Sequence, residues 1–541
     1  MGVWREKKPI IEYEYDDDIL TKLLKIRGIE NVEEFLHPNA SVLYDPYLLS
    51  NIENASNIII KHVMNKSKIC ISMDPDSDGI LSTAIMKRYL SNFSDNIYIS
   101  YNQRNMGHGV EHQMDMITDD TDLIIILDSS TNSIDACKEL KEKGIEIVII
   151  DHHDYEKSNS YAVIVNPKLD NYPNKNLSGT GVVYKTLQVI DDTLQTGNID
   201  HFIDMVSCGM YADMMPVDIL ENRYIIIKGM DNIRNTGLKS ILEYNKIDPN
   251  NINSQTLGFT IGPLLNGVAR LEKIELAIEL LLCDDFDRCL ELVEIMTELN
   301  NQRKKKETDL FNSYSKKVNH NDKILVAIDS NASKGFNGLV ANKLAQEYKK
   351  PSLVMRDYND ELVGSFRSIA NFPLRTFLNQ KKVRKLLKYA VGHEFAGGIA
   401  LNKDNLNDFL NISNHLLSEN DFNTEIYYDL SISADQISIN FVNQVEKFDF
   451  LTGVGFPAAT FLINDLIVED KKILGSNRDT VKISCEDVVA IKFKVNEKWG
   501  SDIEELSRLE VIGQLKNNIW KKWRGQIEVT PQVVLSDYKV L

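Results

Sequence analysis

The segment KICISMDPDSDG, at residues 68–79, carries three aspartates at alternate positions after a short apolar run. Side chains at positions i and i+2 of an extended segment point the same way, so Asp74, Asp76 and Asp78 are expected to face one centre. Gly79 is expected to let the backbone turn tightly into the helix that follows. Carboxylates gathered in this way are the oxygen ligands that hard divalent cations prefer.

Further acids and two adjacent histidines follow three other apolar runs: Asp128 after LIIIL, Asp151, His152, His153 and Asp154 after IEIVII, and Asp213 after CGMYA. A strand-end aspartate often caps the next helix, and this is the alternative for Asp128 or Asp154 taken alone. Four such places within one unit favour a shared site instead. The set offers oxygen and imidazole nitrogen without thiolate, which suits Mn²⁺ or Mg²⁺.

Hydrolysis of a phosphoester at two metal ions is the chemistry that needs this many carboxylates. Two divalent cations about 3.5–4 Å apart share a bridging carboxylate, activate a water near neutral pH and stabilise the attacking and leaving oxygens. The residue types and their spacing therefore predict a phosphoesterase.

The elements that must position these residues alternate between strand-like and helix-like patterns. Short β-branched runs occur at five places: KICIS at 68–72, NIYIS at 96–100, DLIIILD at 122–128, IEIVIID at 145–151 and YAVIVN at 161–166. Helix-like segments such as LSTAIMKRYLSNF separate them, which is typical of a parallel sheet covered by helices on both faces. Such sheets bind ligands at the carboxyl ends of their strands, where the acids lie.

The pattern of hydrophobic residues divides the chain into five segments. We expect a helical arm over 1–50, a Rossmann-like parallel-sheet domain over 51–230, a helical connector over 231–320, a second α/β domain over 321–423 and a small β-barrel over 424–541. The barrel is expected because several short strands occur at regular spacing. The predicted fold class is therefore α/β with a C-terminal barrel.

The composition is that of a globular protein, with 541 residues, 43% of them hydrophobic and 26% charged. The net charge of -18 argues against a generally basic nucleic-acid binder, although carboxylates around metal ions add to the negative count. The six cysteines lack a CxxC pair, which indicates free thiols in a reducing compartment. No apolar signal core or membrane-spanning run is evident, so we expect a cytoplasmic protein.

At its acidic motifs the sequence resembles the DHH phosphoesterase superfamily and, within it, the RecJ single-strand-specific 5′→3′ exonucleases. DPDSDG is similar to the first motif of the family, ILDSS to the second, DHH to the third and YADMMPV to the fourth. The resemblance continues through RGIENVEEFLHP, IGPLLNGVAR, GSFRS, VGHEFAGG and LTGVGFP, so it covers almost the whole chain. It implies a DHH catalytic domain, a DHH-associated domain that grips the substrate's phosphates, and a C-terminal domain of the oligonucleotide/oligosaccharide-binding (OB) fold.

The resemblance also implies roles for individual residues. The implied metal ligands are Asp74, Asp76, Asp78, Asp128, His152 and Asp213. The implied catalytic residues are Asp128, which would bridge the two ions, His152, His153 and Asp151, which would orient the histidines. The implied substrate contacts are Arg104, Asn266, Arg270, Ser365, Arg367 and His393.

Three motifs depart from the pattern of the family. Gln103 stands where the family has an arginine, and Arg104 follows one place late. NGVAR keeps Asn266 and Arg270 but moves the second small residue of the family's NAAGR, and VGH lacks the first glycine of GGH. These departures affect the substrate contacts and leave the motif acids intact.

Two basic segments each have two interpretations. NNIWKKWRGQ interleaves Trp520 and Trp523 with lysines and an arginine, which suits single-stranded nucleic acid. A tryptophan pair partly buried in the barrel is the alternative. The run at residues 303–306 either contacts a phosphate backbone or forms a solvated helix face.

The resemblance implies an exonuclease with two Mn²⁺ ions, or Mg²⁺, that degrades single-stranded DNA from the 5′ end in DNA repair and recombination. It implies a monomer that binds single-stranded DNA, with a single-strand-binding protein or a helicase as further partners. Two other functions stay open. One is a phosphodiesterase of short oligonucleotides or cyclic dinucleotides, which would lack the barrel, and the other is a non-catalytic replication scaffold, which would have lost motif acids.

Overall fold

The computed structural model describes the chain apart from residues 1–2, 105, 170, 331–333, 423–424, 476–477, 487, 496–498 and 522–526. The side chains of Lys334 and Lys521 also lie outside the description. The described residues form a parallel sheet, a helical connector, a second sheet and a C-terminal β-domain, in that chain order. The α/β class predicted from the sequence is confirmed.

The N-terminal segment combines one strand with helices. It contains β1 (Val3–Glu6), α1 (Ile19–Ile26), α2 (Val32–Leu36) and α3 (Ile52–Met64). Asp18 and Asn31 cap α1 and α2 because their side chains accept hydrogen bonds from backbone amides of the first turn. The strand was not expected in a helical arm, and its partner lies near the other end of the chain.

The first sheet supports the predicted site. Its strands are β2 (Ile69–Met73), β3 (Ile97–Tyr101), β4 (Leu123–Leu127), β5 (Glu146–Ile150) and β6 (Val163–Val165). They are all parallel, in the order β3-β2-β4-β5-β6. Every residue of β2 and β4 is buried, as expected for apolar strands covered on both faces. The strand order reverses between β2 and β4, so their carboxyl ends flank the crevice where such sheets bind ligands.

Five helices accompany this sheet. They are α4 (Ser77–Leu90), α5 (Ile134–Glu142), α6 (Gly179–Leu194), α7 (Ile203–Ala212) and α8 (Leu220–Met230). A fully buried ion pair, Lys185 Nζ to Glu221 Oε1 at 2.8 Å, joins α6 to α8. Within the described part of the chain, no helix combines the length and the apolar character needed to cross a membrane.

A helical connector leads to the second sheet. It contains α9 (Thr236–Tyr244), a π-helical turn (Thr256–Ile261), α10 (Gly262–Arg270), α11 (Ile274–Leu282) and the long α12 (Phe286–Ser315). Asp285 caps α12 by accepting a hydrogen bond from the backbone of Arg288.

The second sheet is mixed. Its strands are β7 (Leu325–Ile328), β8 (Ser352–Tyr358), β9 (Glu361–Arg367), β10 (Leu387–His393) and β11 (Ala396–Asn402), in the order β10-β11-β9-β8-β7. Only the pairing of β7 with β8 is parallel. The accompanying helices are α13 (Lys334–Tyr348), α14 (Leu374–Leu378), α15 (Lys381–Arg384) and α16 (Leu406–Leu416).

The C-terminal domain is built on a ring of strands. Its elements are β12 (Glu425–Tyr428), β13 (Leu430–Ser433), α17 (Ile439–Phe448), β14 (Phe461–Leu474), β15 (Thr480–Cys485), β16 (Val489–Lys492), β17 (Arg508–Lys521) and β18 (Ile527–Val540). Pairing runs β14-β15-β16-β18-β17 and returns from β17 to β14. β12 pairs in parallel with β1. The buried Asp429 forms ion pairs with Lys7 at 2.9 Å and with Arg27 at 3.0 Å. These contacts fasten the N-terminal segment to the start of the C-terminal domain.

Candidate metal centre

The ends of three parallel strands and of one helix bring the acids and histidines together. β2 ends beside Asp74, β4 beside Asp128 and β5 beside Asp151 and His152, while α7 ends at Asp213. Adjacent parallel strands end at the same edge of a sheet, so these side chains meet in the crevice.

Three groups of residues each place their own ligand atoms within 4.8 Å of one another, and two of the groups share His152. The groups are Asp128, His152 and His153; Asp78, His152 and Asp213; and Asp74, Asp76 and His108. His152 belongs to two of them, since its Nε2 lies 3.1 Å from Asp128 Oδ1 and 3.3 Å from Asp213 Oδ2. The structure thus brings together every metal ligand that the resemblance implied.

The DPDSDG segment does not face one centre as an extended chain would. α4 begins directly after Asp76, so Asp76 caps the helix and Asp78 lies in its first turn. Asp74 and Asp76 therefore join one group, and Asp78 joins another. The expected tight turn at Gly79 is also wrong, because this glycine is helical. A Cβ there would lie 2.5 Å from the carbonyl oxygen of Asp74, so the glycine permits close approach.

His108 is a member of the site that was not predicted from the sequence. Its Nδ1 lies 2.8 Å from Asp74 Oδ2, and this hydrogen bond raises the pKa of the imidazole. His108 stands between Gly107 and Gly109, which both have positive φ, in a loop without a hydrophobic period. The available signal was the GHG triplet itself, whose two glycines allow the loop to bring an imidazole to the crevice.

Asp151 orients the histidines instead of joining a ligand group. Its Oδ1 accepts hydrogen bonds from the backbone amide of His152 at 2.7 Å and from His153 Nδ1 at 2.8 Å. Its Oδ2 accepts one from Thr131 Oγ1 at 2.6 Å. Burial is the largest influence and opposes ionisation, but the hydrogen bonds from His153 and Thr131 and the charges of the two histidines together outweigh it and hold the pKa of Asp151 below its usual range. The hydrogen bond between His153 and Asp151 also raises the pKa of His153 to about 9.

Asp78 is held by the SGTG segment, to which the sequence analysis gave no role. Asp78 Oδ1 accepts hydrogen bonds from Ser178 Oγ at 3.0 Å and from Thr180 Oγ1 at 2.8 Å. Gly209 on α7 leaves space for this carboxylate, since a Cβ there would lie 2.6 Å from Asp78 Oδ1. The segment and the helix together fix the direction of the aspartate.

Asp128 is fixed by its backbone and by a glycine. It has a φ of 60°, which is uncommon for a residue other than glycine, and it is buried. A Cβ on Gly179 would lie 2.6 Å from Asp128 Oδ1. The surrounding structure therefore holds Asp128 in a backbone conformation that costs free energy, as is frequent at functional sites.

The cluster fits divalent cations. One carboxylate oxygen in each of Asp74 and Asp78 is buried without a hydrogen-bond donor among the described residues. Asp128 Oδ1 is buried too, and although His152 Nε2 lies 3.1 Å away, the two atoms do not form a hydrogen bond. A buried, unpaired polar group costs about 1–3 kcal/mol, and more if it is charged. Mn²⁺ or Mg²⁺ would supply the missing partner, because both accept carboxylate oxygen and imidazole nitrogen as ligands.

The pKa values of these acids reflect their burial first and the crowding of negative charge second. Burial raises the pKa of Asp74 to about 6 and that of Asp213 to about 8. Burial and then the neighbouring carboxylates raise the pKa of Asp128 well above its ordinary value. Asp76 is the exception: burial would raise its pKa, but the Arg104 guanidinium, the hydrogen bond from the Gly79 amide and the charges of His108 and His153 together keep the pKa low.

Guanidinium groups from several segments converge beside the acids. Arg104 donates to the side-chain oxygen of Asn266 at 3.2 Å, and the same oxygen accepts the amide of Ser77 at 3.3 Å. Burial lowers the pKa of Arg270 to about 10, and the nearby charges of Arg104, Arg303 and Arg367 contribute. Arg303, at the start of the basic run on α12, thus belongs to this cluster. Such a concentration of positive charge suits an anionic ligand.

The second sheet presents three of the predicted substrate contacts on one face. His393, Ala396 and Arg367 are aligned across β10, β11 and β9, and Ser365 lies two residues from Arg367. Lys168 and, to a smaller extent, the exposed imidazole of His393 lower the pKa of Asp154. His393 therefore lies near the DHH loop, which comprises residues 151–154. This face of the second sheet therefore turns towards the crevice.

The tryptophan pair is only partly described. The side chain of Trp520 is 64% exposed on β17, opposite Glu528 of β18. Trp523 lies outside the described residues. For Trp520 the buried alternative is therefore wrong.

Two family models match the chain. The DHH family, N-terminal domain, matches residues 68–210, and the RecJ OB domain matches residues 428–533. The first match includes most of the acidic motifs, and the second covers most of the ring of strands.

Similar proteins match over nearly the whole length. The putative SPbeta prophage-derived single-strand DNA-specific exonuclease YorK of Bacillus subtilis is 30% identical, over 99% of this chain and 98% of that protein. The single-stranded-DNA-specific exonuclease RecJ of Bacillus subtilis is 28% identical, over 98% of this chain and 69% of that protein. The crystal structure of RecJ in complex with Mn²⁺ from Thermus thermophilus shares the fold, with a TM-score of 0.78, 22% identity and coverage of 96% of this chain and 75% of that chain.

Binding of Mn²⁺ to the metal-free protein should release protons and should tighten as pH rises. The pKa of Asp213 is raised to about 8, so its carboxyl is mostly protonated at neutral pH and must lose the proton to bind a cation. For each proton released, the affinity for Mn²⁺ should rise by up to about tenfold per unit of pH increase below that pKa. Calorimetric titrations in buffers of different ionisation enthalpy, at about pH 6.5 and pH 8.5, measure both effects.

The matched variant for this titration is Asp213→Asn, which should release fewer protons than the unaltered chain. An affinity for Mn²⁺ that stays flat across this pH range, with no proton release at the lower pH, would contradict the assignment.

Proposed function

The chain belongs to the RecJ family of DHH-domain proteins, and from that premise we propose that it degrades single-stranded DNA from the 5′ end. The observation that carries the proposal is the crevice itself. A complete set of motif acids lies there beside a cluster of arginines. Carboxylates that hold cations and guanidinium groups that bind phosphates are the two requirements for hydrolysing a phosphodiester.

The proposed cofactor is a pair of Mn²⁺ ions, with Mg²⁺ as the alternative. One ion would be held by Asp78, His152 and Asp213 and the other by Asp74 and Asp76, with Asp128 between them. The charges of Asp78, Asp76, Asp74 and Asp213 all act on the pKa of Asp128, which supports its central position. When bound, the ions would supply a water of lowered pKa and positive charge for the phosphate.

The chain's own residues bind and orient the substrate. Asp151 fixes the ring of His153, which is half-exposed, and raises its pKa to about 9. His153 is therefore protonated at neutral pH and can donate from Nε2 to a phosphate oxygen. Asp151 also fixes the backbone of His152, which supports the proposal that it orients both histidines.

The proposed site of the 5′-terminal phosphate lies on the second sheet. Arg367 and Ser365 share one face with His393, which faces the DHH loop. A Cβ on Gly338 would lie 2.6 Å from Arg367 Nη2, so α13 leaves space for the guanidinium. A phosphate gripped there would set the distance from the strand's end to the metals, which is how the enzyme would act from one end.

The C-terminal domain is the proposed platform for the rest of the strand. Trp520 presents an exposed ring, and stacking on such rings accepts any base sequence. We also propose the domain boundaries at residues 51, 231, 321 and 424, a cytoplasmic location, a role in DNA repair and recombination, and a single-strand-binding protein or helicase as partner.

Two other functions fit less well. A phosphodiesterase of short oligonucleotides or cyclic dinucleotides needs only the two α/β domains, and the C-terminal ring of strands counts against it. A non-catalytic scaffold would have lost metal ligands, whereas all the motif acids are present in this chain.

Digestion of end-labelled strands tests the proposed reaction. Single-stranded DNA should be shortened from its 5′ end with Mn²⁺, and duplex DNA, RNA and reactions containing EDTA should be spared. Asp128→Asn should reduce turnover by more than the 10–100-fold typical of groups that only orient a ligand, because Asp128 would serve both ions. Near-normal turnover of Asp128→Asn, or shortening from the 3′ end, would overturn the proposal.

Arg367→Ala tests the end-binding site. A hydrogen bond between charged groups is worth about 1.5–3 kcal/mol, so the variant should bind strands with a 5′-phosphate about one to two decades more weakly. Strands with a 5′-hydroxyl should be affected less, and Mn²⁺ binding should not change. Arg384→Ala, which alters an exposed arginine of the same domain, is the control. Equal losses on both kinds of end would place Arg367 elsewhere.

A further inference from the structure

Asp213 differs from the other proposed ligands in how it is held. It follows the last residue of α7, and the next residue, Met214, has a φ of 58° and an exposed side chain. The side chain of Asp213 is 31% exposed, against 3% for Asp128. Among the described residues, the polar contact of its carboxylate is His152 Nε2 at 3.3 Å from Oδ2, itself a proposed ligand, whereas Asp78 accepts two hydroxyl hydrogen bonds. The direction of Asp213 therefore depends on its backbone.

A turn of the C-terminal domain holds that backbone on both sides. Tyr211 Oη, two residues before Asp213, donates to the carbonyl oxygen of Thr452 at 2.8 Å. The amide of Val217, four residues after it, donates to the carbonyl oxygen of Val454 at 2.9 Å. The turn at residues 452–456 thus contacts the chain both before and after Asp213.

The glycines of the turn make this contact possible. A Cβ on Gly453 would lie 3.1 Å from Val217 Cγ1. Gly455 has a φ of 78°, and a Cβ there would lie 2.1 Å from Asp218 Oδ1. The LTGVGFP segment therefore fits against the segment after Asp213 with no space for a side chain at Gly455.

A buried arginine fixes the turn in place. Arg223 on α8 is 1% exposed and donates to the carbonyl oxygens of Leu451 at 3.2 Å, Val217 at 3.4 Å and Phe35 at 2.6 Å. Its guanidinium also lies 5.4 Å from the ring centre of Phe456. Displacing the turn would take the carbonyl of Leu451 and the ring of Phe456 away from this buried charge and leave it with fewer acceptors, which is destabilising. The turn is therefore a rigid support.

We propose that the turn at residues 452–456 positions Asp213 as a ligand, with Tyr211 and Gly455 as positioning residues. The metal centre in the DHH domain is then completed by the C-terminal domain, which acts as more than a platform for the strand. This inference rests on the proposed role of Asp213 as a ligand. Groups that orient a ligand change metal affinity by about 10–100-fold when they are removed.

Titration of the full-length, metal-free chain with MnCl₂, with free Mn²⁺ followed by electron paramagnetic resonance, tests the inference. Tyr211→Phe removes only the hydroxyl that reaches Thr452, and its control is Tyr538→Phe, which removes an exposed hydroxyl bonded to Asp502. Gly455→Ala forces the turn away from Asp218. Its control is Gly500→Ala, which has a similar φ of 72° but would meet its nearest atom only at 3.4 Å.

We expect Tyr211→Phe and Gly455→Ala to weaken Mn²⁺ binding by about tenfold or more, while both controls bind as the unaltered chain does. Excess Mn²⁺ should restore turnover in Tyr211→Phe, which a merely unfolded protein would not show. If Gly455→Ala does not fold, Tyr211→Phe decides alone.

Asp213→Asn separates the two levels of the proposal. Unchanged Mn²⁺ affinity in Asp213→Asn would overturn the ligand assignment itself. Weakened affinity in Asp213→Asn, together with affinities in Tyr211→Phe and Gly455→Ala equal to those of their controls, would overturn the positioning role alone.

Discussion

The burial of several carboxylates beside one another is the constraint on which the structure depends. Asp74, Asp78, Asp128 and Asp213 lie in one crevice, where burial first and the neighbouring carboxylates second raise their pKa values. The surrounding structure holds them together nonetheless, through hydroxyl groups, through glycines that permit close approach and through an unusual φ at Asp128. These carboxylates can lie together at neutral pH when they bind protons or cations, and bound cations would give the crevice its catalytic chemistry.

The distribution of positive charge complements this crevice. The chain has a net charge of -18, yet arginines from the first sheet's loop, the connector and the second sheet converge on one side of the acids. A phosphodiester placed there would have guanidinium groups on one side and cations on the other. The N-terminal strand and the C-terminal turn fasten the domains around this site, so its geometry depends on contacts between segments that are distant in sequence.

The sequence predicted the parts of the fold that depend on local pattern. Continuous apolar runs identified the parallel strands, because such strands are buried on both faces. Acids at the ends of these runs identified the crevice, because parallel sheets bind ligands at the carboxyl ends of their strands. Alternation at Asp74, Asp76 and Asp78 was misleading, since α4 begins earlier than an extended segment requires. His108, the pairing of β1 with β12 and the turn behind Asp213 depend on contacts between distant segments, which a hydrophobic period does not encode. The substrate contacts came from family resemblance alone.

The most direct measurement is anomalous diffraction from crystals of the chain soaked in MnCl₂, recorded near the manganese absorption edge. The proposed centre predicts two peaks in the crevice, one among Asp78, His152 and Asp213 and one beside Asp74 and Asp76, with Asp128 contacting both. Asp128→Asn crystals should lose or weaken both peaks. Manganese bound only outside the crevice, or no peak at any concentration that supports turnover, would contradict the account.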